Sequence, residues 1–120
     1  MANCQWVEHR GSRILVVTYT GCRTDDEMLA VLADQGRLIV AEGGKVRVLH
    51  DYREVALGEQ FLKESFRLGK ERRPILIERA AIVGLTGFKK ALFHSYRMAS
   101  DDAVSQAFES IDTALDWLAR

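Results

Sequence analysis

Apolar and β-branched residues recur at strand spacing in several places along the chain. The strongest segments are 14–20, which is β-branched and apolar, and 45–50, which alternates apolar with polar residues. Residues 79–84 are small and branched, as in a buried strand, and residues 104–108 alternate. Residues 5–9 alternate more weakly and are joined to the next segment by a glycine-containing turn. Each of these segments is predicted to be a strand.

The segments between these strands have the apolar spacing of amphipathic helices. Thr24 and Glu27 form a predicted capping box, in which the threonine hydroxyl accepts the Glu27 amide. Thr86 and Ser110 are the predicted caps of the third and fourth helices. The second helix is expected to be closed by Pro74, the only proline in the chain.

The predicted order of elements is β-β-α-β-α-β-α-β-α. An opening hairpin followed by alternating helices and strands requires mostly parallel pairing with helical crossovers. The expected fold class is therefore α/β, with a mixed five-stranded sheet and four helices in one domain, 1–120. A chain of this length can build one core without a metal or a disulfide.

Composition and charge argue against several functional classes. Lys plus Arg equals Asp plus Glu, 17 each, so the basic surplus of a nucleic-acid-binding protein is missing. No apolar run approaches about 18 residues, and the N-terminus lacks a signal-peptide pattern. We therefore expect no membrane span and a cytoplasmic location. Cys4 and Cys22 are expected to be reduced, buried thiols, although their spacing alone also allows a disulfide.

Three segments resemble the SpoIIAA-like proteins of the STAS group (sulfate transporter and anti-sigma-factor antagonist). Residues 80–90 (AAIVGLTGFKK) are similar to the signature of that family, and residues 108–118 (FESIDTALDWL) to its closing strand and helix. Residues 48–53 (VLHDYR) fit its third strand and the following loop. The resemblance implies a STAS/SpoIIAA-like fold, which is also similar to Sec14-type lipid-binding domains. It further implies a domain that is generally not an enzyme and that binds partner proteins, nucleotides or other small ligands.

One position departs from the family pattern. In the sporulation-type antagonists a serine directly follows the aspartate at the end of the third strand, and this serine is phosphorylated. Here Asp51 is followed by Tyr52 and Arg53, and the next hydroxyl after Tyr52 is Ser65, within a predicted helix. A phosphoserine switch at that position, and with it a sigma-factor role, is not expected.

The best local candidate for a ligand site consists of Thr86, Gly87, Lys89 and Lys90. These residues lead from a predicted strand into a helix, whose first free amides, with a hydroxyl beside them, favour an anion. Lys89 and Lys90 lie in the first turn, where a positive charge is unfavourable beside the positive end of the helix dipole. Two lysines at this place also indicate a negative ligand. The alternative is that Thr86 only caps the helix while both lysines extend into water. The P-loop pattern is absent.

Asp51, Tyr52 and Arg53 end the neighbouring predicted strand. Ligands of open α/β sheets favour the crevice beyond the carboxyl ends of the strands. These three residues are therefore expected to line one pocket or contact face together with Thr86. The alternative is that Asp51 accepts amides from its own loop, while Tyr52 and Arg53 are surface residues.

The remaining polar residues give no signal of catalysis or metal binding, and no cofactor is predicted. His9, His50 and His94 lack HxH or HExxH spacing and are expected to be structural or surface residues. No nucleophile elbow is present. The charged run at 70–73 (KERR) is expected to be the solvated end of the second helix.

Two functions are compatible with these features. The first is a non-catalytic, regulatory protein-interaction module that acts as a homodimer, in which Trp6 either contributes to the dimer face or fills the core. The second is a carrier or sensor of a small anionic or lipid-like ligand held near Asp51, Tyr52 and Thr86. A cavity of roughly 300 Å³ or more would favour the carrier, whereas tight packing of helices on the sheet would favour the interaction module.

Overall fold

The computed structural model describes residues 3–99 and 104–120, and it confirms the predicted order of elements. The strands are β1 (Cys4–His9), β2 (Ser12–Thr18), β3 (Val46–Asp51), β4 (Ile77–Val83) and β5 (Ser105–Phe108). The helices are α1 (Asp25–Glu42), α2 (Glu59–Leu76), α3 (Gly87–Ala99) and α4 (Ile111–Leu118). The fold is α/β with one mixed five-stranded sheet, as expected.

The strands lie across the sheet in the order in which they occur along the chain. β1 pairs with β2 in antiparallel orientation, and the strands from β2 to β5 pair in parallel. The register aligns Trp6, Leu15, Val48, Ala80 and Ser105 in one row across all five strands. This row shapes the core, because its side chains become smaller from β1 to β4 and remain small in β5.

The two faces of the sheet are covered unequally. Alternate residues of a strand point to opposite faces, so Leu15 and Ala80 belong to the larger core cluster, whereas Ile14 and Ala81 belong to the smaller one. Residues of α1, α2 and α3 pack in the larger cluster, and residues of α4 pack in the smaller one. Three helices therefore share one face, and α4 alone covers the other.

Two arginines from the sheet hold the C-terminus of α4. Arg47 Nη1 donates to the Leu118 carbonyl at 2.6 Å, and Arg79 Nη1 donates to the Trp117 carbonyl at 2.8 Å. Carbonyls at a helix C-terminus lack helical partners and carry the negative end of the helix dipole. At the other end of α4 the Ser110 side chain caps the helix, as predicted.

Helices α1 and α4 begin at their predicted caps, whereas the end of α2 differs from the prediction. The Thr24 hydroxyl accepts the Glu27 amide at 3.1 Å, as predicted. The prediction that Pro74 closes the second helix is wrong, because α2 continues to Leu76 and passes directly into β4. A proline lacks an amide hydrogen, but its fixed φ is helical, so the last residues of the helix can follow it.

Gly84 lets the ends of β3 and β4 approach each other closely. Its φ of +97° lies in the left-handed region, and a Cβ atom at this position would lie 2.5 Å from the amide nitrogen of Arg53. The neighbouring atoms belong to the backbone of Tyr52 and Arg53 and cannot rotate away. Only glycine fits this position.

We expect Gly84→Ala to lower the free energy of unfolding by at least about 2 kcal/mol, since it combines a strained φ with a backbone clash. Gly44→Ala is the matched control, because a Cβ atom at Gly44 would meet nothing within 4 Å. The control should be neutral or slightly stabilising. Urea denaturation of both variants checks the prediction, which equal midpoints would contradict.

Candidate functional site

A cavity of about 150 Å³ lies between the sheet and the helices of its larger layer, and we call it the central cavity. Strands β3, β4 and β5 form its floor, and all three helices of this layer contribute to its walls. Most of the lining is apolar; representative residues are Leu32, Ile39, Leu62, Phe66, Ile82 and Phe93.

The cavity lies where the side chains of the sheet are smallest. Along the row that begins at Trp6 and Leu15, the strands that floor the cavity contribute only Val48, Ala80 and Ser105. The space above Ala80 and Ser105 therefore stays open.

Several polar side chains also line the central cavity: Gln35, His50, Tyr52, Ser65, Arg72, Lys89 and Ser105. They come from all three helices of the layer, from strands β3 and β5, and from the residue directly after β3. Among the lining residues that the structure describes, none is Asp or Glu. The charged groups of the cavity are therefore basic.

His50 is the polar group least satisfied by its surroundings. It lies near the end of β3 with part of its ring facing the cavity, and it stacks on Tyr52 with ring centroids 6.0 Å apart. Its Nδ1 atom is buried and has no hydrogen-bond partner among the residues that the structure describes. Burial lowers the pKa of His50 to about 4, so the imidazole is neutral at physiological pH.

Tyr52 belongs to an aromatic cluster beside the cavity. Its ring stacks on Tyr19 at 5.0 Å and meets the edge of Phe61 at 5.9 Å. Burial raises the pKa of Tyr52 to about 12, while hydrogen bonds with Ser65 and Tyr19 act in the opposite direction. The phenol is therefore protonated and held in place, which gives one end of the cavity a rigid wall.

Arg72 contradicts the expectation that the charged run at 70–73 is solvated. Lys70 and Glu71 are exposed, but Arg72 is half-buried and lines the central cavity. Its guanidinium lies against α1 at Gly36, where a Cβ atom would come within 2.5 Å of Nη2. Burial lowers the pKa of Arg72, since desolvation disfavours its charge.

The predicted site residues on α3 separate into two groups. Lys89 lines the cavity, and its Nζ donates to the carbonyl of Val55 at 2.8 Å. Lys90, Thr86 and Gly87 are exposed and do not line the cavity. The structure therefore brings one of the two lysines to Tyr52 at the cavity, and it leaves the other at the surface.

Asp51 and Arg53 form a closed pair at the end of β3. Both Asp51 carboxylate oxygens accept from the Arg53 side chain, at 2.9 and 3.0 Å, and Oδ1 also accepts the Arg53 amide at 3.1 Å. Thr18 Oγ1 lies 3.5 Å from Oδ2. Asp51 is buried and Arg53 is exposed, and neither lines the cavity. The pair holds the loop that positions Tyr52.

Two functional candidates, His50 and Arg72, were missed at the sequence level, and each has a signal in its spacing. Val46, Val48 and His50 occupy alternate positions of one strand, so the histidine continues the buried face. Along α2, Gly69 and Arg72 are one helical turn apart and line the same cavity. A polar residue that continues a buried face is the signal that would have identified both.

The described residues offer no other centre of chemistry. No group of three or more His, Cys, Asp or Glu residues in 3–99 and 104–120 is placed to hold a metal ion. Cys4 and Cys22 are free, half-buried thiols whose pKa values are raised by burial. In the same part of the chain, no helix combines the length and apolarity needed to cross a membrane.

The buried imidazole of His50 predicts a loss of stability on acidification. Between pH 6.5 and about 4, the unfolded chain binds a proton at this residue that the folded chain does not, so the free energy of unfolding falls as the pH falls. His50→Gln should remove this acid-induced loss of stability, which amounts to at most about 3 kcal/mol of unfolding free energy. His94→Gln is the matched control, because His94 is exposed on α3. Urea denaturation at pH 7 and pH 4.5 checks this; equal pH dependence in both variants would contradict it.

The comparisons with known proteins concern the fold. The chain matches no protein-family model, and a search of curated proteins finds no match. A solved structure, an uncharacterised protein of the DUF3478 family from Shewanella loihica PV-4, is similar with a TM-score of 0.58 and 19% identity. The match covers 96% of this chain and 91% of that protein, which has a SpoIIAA-like fold. The resemblance predicted from the sequence is thus confirmed for the architecture: this chain has a SpoIIAA-like fold.

Proposed function

We propose that this domain binds a small, largely apolar molecule in the central cavity and acts as a carrier or sensor. The observation that carries the proposal is a cavity with apolar walls that is lined in part by His50, whose buried Nδ1 has no partner in the described part of the chain. A buried polar atom without a hydrogen bond costs about 1–3 kcal/mol. A ligand that forms this bond would recover that cost.

The size of the cavity limits the ligand. The cavity does not reach the roughly 300 Å³ that was expected of a carrier, because its volume of about 150 Å³ is about half of that. A cavity near 150 Å³ is large enough to hold benzene. The proposed ligand is therefore a ring or short chain of about six carbon atoms, and a full-length lipid would not fit.

The polar groups of the cavity suit binding better than catalysis. A general base works best when its pKa lies near the operating pH, whereas the pKa of His50 is about 4. The Tyr52 hydroxyl is bonded to Ser65 and Tyr19, and its pKa is about 12. These values leave His50 and Tyr52 neutral near pH 7, and we propose that the domain is not an enzyme.

A protein-interaction module remains the second candidate, and an apolar groove favours it. The groove lies between α1 and α2 and includes Leu29, Ala33, Val40 and Leu68. Val40, in this groove, is 62% exposed. Trp6, by contrast, packs on the larger core cluster and is covered by the guanidinium of Arg13. The homodimer, the regulatory role and the cytoplasmic location remain predictions.

Filling the cavity tests the proposed site. Benzyl alcohol, which joins a ring to one hydroxyl, should perturb the amide resonances of cavity residues in a nuclear magnetic resonance titration. Ala80→Leu should raise its Kd at least tenfold, because Ala80 is buried in the cavity floor. Ala30→Leu is the matched control, since Ala30 is exposed on α1 and does not line the cavity.

Thermal melting shows whether the Ala80→Leu variant still folds. If it does not fold, the smaller substitution Ala80→Val replaces it in the titration. Perturbations outside the cavity, or an unchanged Kd in the folded Ala80 variant, would overturn the site. Native mass spectrometry of freshly purified protein adds an independent measurement. A releasable small molecule of fewer than about ten non-hydrogen atoms would support the carrier or sensor, and a bare dimer would favour the interaction module.

A further inference from the structure

We propose, on the basis of the proposed function, that the ligand of the central cavity is an apolar carboxylate and that Arg72 is its counter-ion. The ligand class is a six-carbon acid such as hexanoate or a ring acid such as benzoate. The carbon skeleton occupies the apolar volume above Ala80, and the carboxylate meets the guanidinium.

The charges that face the cavity are unbalanced. Arg72 and Lys89 line it, together with the neutral His50, and no Asp or Glu is present among the described lining residues. An apolar cavity with fixed positive charge and no internal carboxylate is complementary to an apolar anion, and it is unfavourable for a cation.

Arg72 differs from Lys89 because its guanidinium has no hydrogen-bond or ion-pair partner among the described residues, and Glu71 and Glu64 act on it only through their charge. The two acidic residues nearest to it along α2, Glu64 and Glu71, both bond to Arg67, the second at 2.9 Å. No hydrogen bond or ion pair joins Arg72 to any residue in the described ranges 3–99 and 104–120. A half-buried guanidinium is costly without a partner, and it presents a planar fork that matches a carboxylate.

Lys89 is less suited to this role. Its Nζ already donates to the Val55 carbonyl at 2.8 Å, and it follows β4 along the chain, whereas Arg72 precedes that strand. The two cations can therefore be removed one at a time. This makes Lys89 a matched control for Arg72, because it is a second cation of the same cavity.

The position of Arg72 also keeps the carboxylate close to water. Leu32, Leu68 and Arg72 line both the central cavity and the outer groove between α1 and α2. They therefore form the partition between the two spaces. An anion at this partition pairs with Arg72 without being carried into the deepest part of the core, which limits its desolvation cost.

The test compares hexanoate with 1-hexanol, which has the same chain length and no charge, by isothermal titration calorimetry at pH 7. The wild-type protein should bind hexanoate at least tenfold more tightly than 1-hexanol. Arg72→Gln should abolish this preference while 1-hexanol still binds, and Arg72→Lys should retain part of it. Lys89→Met should weaken the preference less than Arg72→Gln does, and Lys90→Met should leave it unchanged, because Lys90 is exposed and does not line the cavity.

Gly36→Ala provides a second perturbation that leaves the charge in place. The new methyl group would displace the guanidinium, whose flexible end can move, and alanine favours a helix over glycine. Hexanoate binding should weaken in this folded variant, whereas 1-hexanol binding should remain.

The outcomes separate the two proposals. Equal affinity of the wild type for hexanoate and 1-hexanol would overturn the carboxylate while leaving the cavity as a binding site. A preference lost in Lys89→Met and kept in Arg72→Gln would overturn the role of Arg72. If neither compound binds, both this inference and the proposed function are wrong.

Discussion

The decline in side-chain size along one row of the sheet is the constraint on which the central cavity depends. The row begins with Trp6 at one edge and ends with Ala80 and Ser105 at the other, while three helices share the face above it. The resulting cavity of about 150 Å³ combines apolar walls with several polar side chains. The proposed ligand would supply the packing contacts that the small side chains of the sheet do not make.

Arginines serve two different purposes in this fold. Arg47 and Arg79 lie in strands beneath α4, and their guanidinium groups complete the hydrogen bonds of its last carbonyls. These arginines explain how so short a helix covers one face of the sheet. Arg72 is half-buried on the opposite face, with no carboxylate or carbonyl partner among the described residues. Unlike these two arginines, Arg72 packs against Gly36 of α1 without such a bond.

The residues at the end of β3 have a structural role in this chain. Where a sporulation-type antagonist has its phosphorylated serine, Tyr52 is buried, stacks between His50 and Tyr19, and bonds through its hydroxyl to Ser65. Asp51 is closed off by its bonds with Arg53. The SpoIIAA-like architecture is therefore combined with a different use of this position, one that builds a cavity wall.

The boundaries of the fold were largely predictable because they depend on local chemistry. Strand alternation and the caps at Thr24 and Ser110 need only neighbouring residues, and both caps were confirmed. Pro74 was misjudged, since a proline near the end of a helix does not decide whether the last residues remain helical. The approach of β3 and β4 at Gly84 depends on another strand's backbone and could not be predicted locally.

The candidate site was predicted only in part. The sequence by itself determined the α/β order of elements, the buried face of each strand and the presence of basic residues near the start of α3. Only the tertiary structure decided that Lys89 rather than Lys90 reaches the cavity and that Arg72 turns towards α1. It also decided that His50 lines the cavity while its Nδ1 has no partner among the described residues. The periodicity of a sequence determines on which side of a helix or strand a residue lies. The size of the side chains that face it, and the charged groups with which it pairs, depend on residues that are distant in the chain.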